Sequence, residues 1–255
     1  MKLLRKGSKG ADVTRWQEFL RGQGYNLIAD GDFGPKTKKG TLGFQKKHKL
    51  VADGLVGGRT WGVALGLDFP AVELSDDWPP KPKHLKPLSS VERGKLFGRF
   101  KYKSAPTFNN PEAIKILGSW RREQIVRVHV PQLVTQGLKS NGNVYVHRRI
   151  SEQFLALWQA WDDGGMLGDV LTWNGSFVPR FQRGSRTRLS NHSWGTAFDI
   201  NARYNRMGAH PPKLGEVGSV RDLVPLARRY GFYWGGHFRR KDGMHFEATV
   251  GSIIA

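Results

Sequence analysis

The sequence predicts an α+β protein: a small three-helix N-terminal bundle followed by a larger domain on a mainly antiparallel sheet. Three observations predict it. Early in the chain, apolar residues fall at helical spacing around two similar Asp-Gly turns. From about residue 91, short alternating runs mix with helical runs, without strict strand–helix–strand alternation. Between the two lies a stretch crowded with proline and lysine. The expected division is therefore 1–67, a linker at 68–90, and 91–255.

In the first segment Val13, Trp16, Phe19 and Leu20 share a helical face, with Asp12 available as an N-terminal cap. Ala29–Thr37 is echoed by Ala52–Thr60, each an Asp-Gly turn leading toward a helix start. Between the copies, Thr41–His48 carries Leu42, Phe44 and Gln45 in a second short helix. Pro70, Pro79, Pro80, Pro82 and Pro87 then interrupt any helix, and Lys81, Lys83 and Lys86 add charge. A semi-stiff basic linker is expected, with Trp78 available to anchor part of it. Beyond it, Gln124–Val130 sets Val126, Val128 and Val130 against Arg127 and His129, and Asn143–His147 alternates likewise. Ile150, Phe154, Leu157, Trp158 and Trp161 have helical spacing ended by Gly164-Gly165. Asp222–Tyr230 reads as a helix disturbed by Pro225 and closed by Gly231, while Ala197–Asn201 and His245–Val250 read as strands.

Composition narrows the function. The chain has 255 residues and no cysteine, which excludes disulfides, cysteine zinc sites and thiol nucleophiles. Any metal must be held by His, Asp or Glu. A formal net charge of +20 points to a polyanionic partner such as nucleic acid, teichoic acid, lipopolysaccharide or anionic wall, and charge alone does not choose among them. No basic-aromatic RNA motif is visible. The N-terminus lacks an apolar run of signal-peptide length, and no stretch is long and apolar enough to span a membrane. The expectation is cytoplasmic synthesis without a signal, with release dependent on another agent.

The chemistry gathers in two stretches. Leu189–Asn201 offers His192 and Asp199, and Asp242–Glu247 offers His245 between two acids. Two imidazoles and a carboxylate form a zinc set with the fourth position open, the arrangement of a catalytic site. Gly195 lets the turn between His192 and Asp199 close without a Cβ, and Trp194 and Phe198 are expected as apolar walls. Asp242, three residues before His245, is placed to take a proton from water. Glu247, two residues after His245, shares its strand face and can orient a ligand. On composition alone Asp242 and Glu247 compete for the role of base. His237, beside Gly235-Gly236, is a rival ligand, while His129 and His147 are expected to be structural.

Two resemblances add to this reading. Gly10-Ala11-Asp12-Val13 with Trp16-Gln17, Asp30–Gly34, Phe44-Gln45, Asp53–Gly57 and Thr60-Trp61 resemble the peptidoglycan-binding type 1 domain. That resemblance implies a cell-wall module with wall contacts at Asp30, Phe33, Asp53 and Trp61. Ser190-x-His192-x-x-Gly195-x-Ala197-x-Asp199 with Asp242-x-x-His245 resembles the M15 zinc peptidases, and the likeness extends from roughly Phe97 to Glu247. It implies a domain of the Hedgehog/DD-peptidase type and one Zn2+ per chain, held by His192, Asp199 and His245. It also implies Asp242 as base, and leaves His237 at the pocket rim. Arg180 is the match for an arginine facing the scissile carbonyl or a substrate carboxylate, with Arg183 and Arg188 as alternates. Ser190, Trp194 and Glu247 are expected around the ligands.

The implied function is a zinc-dependent endolysin acting on peptidoglycan, released by a holin-type route, with the L-Ala-D-Glu bond of the stem peptide as target. Aspartate at the base position favours that branch. The alternatives are a D-alanyl-D-alanine carboxypeptidase, a cell-wall toxin delivered by a secretion system, and a non-catalytic wall-binding protein. Other anionic envelope polymers remain possible partners; no specific nucleic acid is expected, and the oligomeric state is open.

Overall fold

The computed structural model describes residues 3–67 and 78–249. The first ten residues of the expected linker, Pro70 included, lie outside the described residues, as does Val250 at the end of the last expected strand.

Three helices surround the first core: α1 (Ala11–Gly22), α2 (Pro35–Lys47) and α3 (Gly58–Leu65). Trp16 lies at its centre, fully buried, edge-on to Phe44 and Trp61 with ring centroids 5.4 and 5.1 Å away. Its indole Nε1 donates to Thr41 Oγ1 at 2.9 Å, so the one polar atom of the ring is satisfied. Two details depart from expectation. Gly10, not Asp12, is the N-cap of α1, and Asp12 pairs with Arg15 at 2.8 Å. α2 begins at Pro35 rather than Thr41, because proline in a first helical turn forfeits no hydrogen bond; the polar run Lys36–Lys39 hid that turn from the periodicity.

The internal repeat has one physical cause, written twice. Gln17 Oε1 accepts from Gly31 N at 2.8 Å, and its Nε2 reaches Asp30 Oδ1, Asp32 O and Thr37 Oγ1 at 2.8–2.9 Å. Gln45 does the same for the second turn: Oε1 takes Gly54 N at 2.9 Å, and Nε2 reaches Asp53 Oδ1, Leu55 O and Thr60 Oγ1 at 2.8–3.2 Å. Each buried glutamine thus satisfies a turn that packing would otherwise leave with orphaned polar groups.

The second part is α+β, with antiparallel sheets. In chain order it contains α4 (Ser90–Phe97), β1 (Lys101–Ser104), β2 (Ile114–Leu117), α5 (Trp120–Gln124), β3 (Ile125–His129), α6 (Pro131–Thr135), β4 (Asn143–His147), α7 (Ser151–Asp163), β5 (Trp173–Gly175), β6 (Ala197–Ile200), α8 (Val224–Arg229), β7 (Phe232–Trp234) and β8 (His245–Ala248). Ser89 and Glu92 form a capping box on α4. β1–β2 and β3–β4 are two-stranded ladders, and a four-stranded sheet runs in the order β5-β6-β8-β7. α7 lays Phe154 and Trp161 against that sheet, where Phe198 and Phe246 stack at 5.3 Å.

Residues just after 77 lie on this second core. Trp78 sits 5.1 Å from the Trp234 ring and 4.8 Å from His210, with the Arg221 guanidinium 4.7 Å and the Lys241 ammonium 5.0 Å from its ring centre. That part of the proline-rich stretch is a strap on the larger domain. Among the described residues no helix is long and apolar enough to cross a membrane.

Candidate metal centre and catalytic cleft

The sheet register builds the site. Asp199 on β6 is paired directly with His245 on β8, and Ala197 with Glu247. Side chains alternate along a strand, so Asp199, His245 and Glu247 share one face while Phe198 and Phe246 turn to the core on the other. His192 comes from the short 3₁₀ turn Asn191–Trp194 just before β6. Gly195 closes that turn at φ 66°, and a Cβ there would stand 3.0 Å from His147 N, so glycine is required on both grounds.

Three ligand atoms converge. His192 Nε2 lies 3.2 Å from Asp199 Oδ1 and 3.2 Å from His245 Nδ1, and His245 Nδ1 lies 3.0 Å from Asp199 Oδ1. Ligands roughly 2.0–2.1 Å from a tetrahedral zinc stand roughly 3.3 Å from one another, so the triangle has the size of one face of such a site. The outer ring atoms are also fixed. His192 Nδ1 faces Ser176 O at 2.7 Å, which can only accept, so the proton belongs there and Nε2 offers a lone pair inward. His245 Nε2 faces Glu247 Oε2 at 3.1 Å, which leaves Nδ1 for the centre. Three such acceptors can face each other only around a proton or a metal ion. Burial alone would lower the His245 pKa, but hydrogen bonds to Asp199 and Glu247 carry it up to about 10 in the metal-free protein. Burial alone would raise Asp199, but the two imidazoles hold it well below the usual carboxylate range. The donor set therefore fits a divalent metal that displaces one proton.

The centre lies at the floor of a cleft of about 720 Å³ whose lining includes Arg180, Arg188, Ser190, Phe238, Arg240 and Asp242. Asp242 is held by its backbone, donating from N to Gly235 O at 3.0 Å and accepting from His245 N at 3.1 Å. Its Oδ1 is buried without a protein partner, and burial raises its pKa. An acid in this state faces the cleft with basicity to use. Arg180 is half-buried in the wall and fixed at its backbone by Ser193 Oγ, which donates to its carbonyl at 2.7 Å. Arg183 is held by Glu112 at 2.6 Å, and Arg188 stands exposed at the rim. Ser190 lines the cleft and also braces the loop through its backbone N to Arg180 O at 2.9 Å.

Several expected roles change. Glu247, only 1% exposed, stands behind His245, and of the two candidate acids only Asp242 lines the cleft. Trp194 and Phe198 are not cleft walls. Trp194 is buried with Nε1 on Gly98 O at 2.9 Å, and Phe198 points to the core; Phe238, Met207 and Met244 give the cleft its apolar surface instead. His237 is turned away from the cleft toward the strap, with Nε2 2.7 Å from Pro79 O. Of the four expected wall contacts, Phe33 and Trp61 are buried, while Asp30 and Asp53 are exposed residues whose Oδ1 atoms accept from Gln17 and Gln45. His147 is structural as expected; its Nε2 lies 2.9 Å from Phe97 O, and burial lowers its pKa to about 4.

One contributor had no signal in its own segment. Arg93 on α4, 3% exposed, lies 3.7 Å from Glu247 Oε1 and places its guanidinium 5.6 Å from the Trp194 ring centre. Asn191 Nδ2 also donates to Glu247. The line Arg93–Glu247–His245 is a buried charge chain ending at the candidate metal centre.

Residues 9–63 match the peptidoglycan-binding domain family, and residues 183–248 match an M15 peptidase family described as D-alanyl-D-alanine carboxypeptidase. Three solved structures are similar over a quarter of this chain. A peptidoglycan-binding protein from Clostridioides difficile, in complex with glutamine hydroxamate, is 43% identical over 25% of this chain and 40% of its own, with a TM-score of 0.24. The Burkholderia AP3 phage endolysin is 41% identical over 25% and 24%, with a TM-score of 0.24. A fused Zn-dependent amidase/peptidase with a peptidoglycan-binding domain, from Clostridium acetobutylicum, is 40% identical over 25% and 28%, also at 0.24. The matches thus span at most two-fifths of those chains. The chain carries an N-terminal peptidoglycan-binding domain and a C-terminal domain of the M15 peptidase family.

Proposed function

We propose that this protein is a zinc-dependent peptidoglycan endopeptidase of the endolysin kind, cutting the L-Ala-D-Glu bond of the stem peptide. The observation that carries the reading is the triangle of His192, Asp199 and His245, spaced for a tetrahedral metal, on the floor of a cleft that also holds Asp242, whose Oδ1 is buried without a hydrogen-bond partner. We further assign residues 1–67 to the wall-binding three-helix bundle and 91–255 to a peptidase domain of the Hedgehog/DD-peptidase type.

His192, Asp199 and His245 would hold one Zn2+. When bound, zinc polarises the scissile carbonyl and makes the attacking water more acidic. Asp242 takes the proton of that water and returns it to the leaving amine, a role suited to an acid whose pKa burial has raised. Arg180 places a fixed positive charge in the wall, where the carbonyl oxygen becomes anionic. Glu247 and Arg93 keep the His245 ring in its ligating orientation. Arg188 and Arg240 add positive charge at the rim, suited to a peptide bearing carboxylates. The net charge of +20 favours residence on an anionic envelope.

The competing reading is release of terminal D-Ala, the activity named by the matching family description. Product masses separate the two. Cutting at L-Ala-D-Glu leaves L-Ala on the glycan and frees a peptide with N-terminal D-Glu; a carboxypeptidase frees D-Ala alone.

A further inference from the structure

The second copy of the internal repeat departs from the first where turn geometry does not require it. With the Gln17 and Gln45 networks matched, Pro35, Lys36 and Lys39 correspond to Gly58, Arg59 and Gly62. Gly58 and Gly62 lie one helical turn apart, so α3 presents a face without side chains.

That face is covered by the peptidase domain. A Cβ on Gly58 would stand 2.7 Å from Asp222 Oδ2 and 2.9 Å from Asp169 Oδ1, and one on Gly62 would stand 2.6 Å from the Gly215 carbonyl oxygen. α3 has no acidic residue in its first turn, and its N-cap, Gly57, supplies no side-chain acceptor. Asp169 and Asp222 are brought to that end, where the positive pole of the helix offsets part of the cost of burying them. Arg59 adds attraction toward Asp169. Beside this contact, Arg5 Nη1 donates to Asp163 O at 3.2 Å, and Leu55 leaves no room for a side chain on Gly165. The first copy lacks this cover: a Cβ on Gly34 would meet nothing within 4 Å, whereas one on its counterpart Gly57 would stand 3.6 Å from Gly165 O.

We infer that α3 is a docking helix. Its N-terminus, with Arg59, receives Asp169 and Asp222, and its glycine face receives the Gly215 loop, so the binding and peptidase domains form one body. The consequence for catalysis, which rests on the proposed function, is that a polymer gripped by the first domain reaches the cleft at a fixed offset rather than on a free tether.

The test uses the full chain and no substrate, so it stands apart from the assignment of activity. Backbone 15N relaxation should give residues of α1–α3 and of the four-stranded sheet one shared rotational correlation time. Two separate times, shorter for the N-terminal residues, would overturn the inference. Gly62→Leu, which cannot fit against the Gly215 carbonyl, should split the single time into two and enlarge the radius of gyration in small-angle scattering. Lys39→Leu, at the counterpart exposed position of the first copy, should leave both unchanged. A Gly62→Leu protein that keeps one correlation time would also overturn the inference. If that variant loses the near-ultraviolet signal of the Trp16–Trp61 cluster and so unfolds, the wild-type relaxation decides alone.

Discussion

Glu247→Gln keeps the volume of the side chain and removes its charge, which isolates what the buried carboxylate does. Glu247 is 1% exposed and faces His245 Nε2 at 3.1 Å, Arg93 Nη2 at 3.7 Å and Asn191 Nδ2. Without the carboxylate, Arg93 is a buried cation that has lost its nearest counter-charge and keeps only the more distant pull of Glu92. Removing one partner of a buried pair costs about 3–5 kcal/mol, and the long 3.7 Å separation places this pair near 3 kcal/mol. At about 2–4 °C per kcal/mol, the melting temperature falls by about 6–12 °C. The metal centre responds separately, because His245 exchanges a charged carboxylate acceptor for a weaker neutral amide that can also turn its NH2 toward the ring. Loss of such a partner weakens metal binding about 10–100-fold. Thermal melting of the metal-free protein reads the first effect, and zinc competition against a chromophoric chelator reads the second. Adding Arg93→Met to Glu247→Gln removes the stranded cation, so it should recover melting temperature without recovering zinc affinity. Zinc affinity within twofold of wild type in Glu247→Gln would refute the orienting role.

Three further outcomes follow from the same structure. Asp242→Ala should keep its zinc and its binding to purified wall while its turnover falls by about 10²–10⁴-fold, measured on a soluble stem peptide. Gln17→Leu strips Gly31, Asp30 and Asp32 of a shared buried partner, so the N-terminal domain should lose about 3 kcal/mol in denaturant unfolding while cleavage of the soluble peptide is unchanged. Burial, reinforced by Asp222 against the pull of Arg59, pushes the Asp169 pKa from 3.8 up to about 7. An acid with a raised native pKa contributes stability below its unfolded value and loses that contribution as pH rises through the native one. Wild type should therefore lose stability relative to Asp169→Asn between about pH 4 and pH 7, by at most about 4 kcal/mol, and the difference should stay flat above that range. Melting curves of both proteins across this range check it.

Much of the centre was legible because its residues sit on period-two strands and short turns. The spacing of Asp199, His245 and Glu247 put them on strand faces, and β6–β8 pairing put those faces together. Gly195 could be read because a tight turn needs a residue free of Cβ. Arg93 could not be read, since no local pattern says that α4 packs behind β8. Trp194 and Phe198 are expected as walls from their place beside the ligands, but proximity in sequence does not say which face a side chain takes, and both turn to the core. The Asp-Gly turns can be read as a repeat in the sequence, but the buried amides of Gln17 and Gln45 that tie each turn together cannot, since they come from the preceding helices. The docking face of α3 left a trace in the sequence, glycines where the first copy has Pro35 and Lys39, but its meaning depends on what lies against it.

The central claim is that a metal held by His192, Asp199 and His245 drives cleavage of the stem peptide. Purified peptidoglycan should be digested with the protein as prepared, after chelation, and after zinc is restored, with the products weighed by mass spectrometry. The account predicts peptides with a new N-terminal D-Glu, absent after chelation and regained with zinc. Release of D-Ala alone would contradict the assigned bond, and digestion that survives chelation would contradict the metal centre itself.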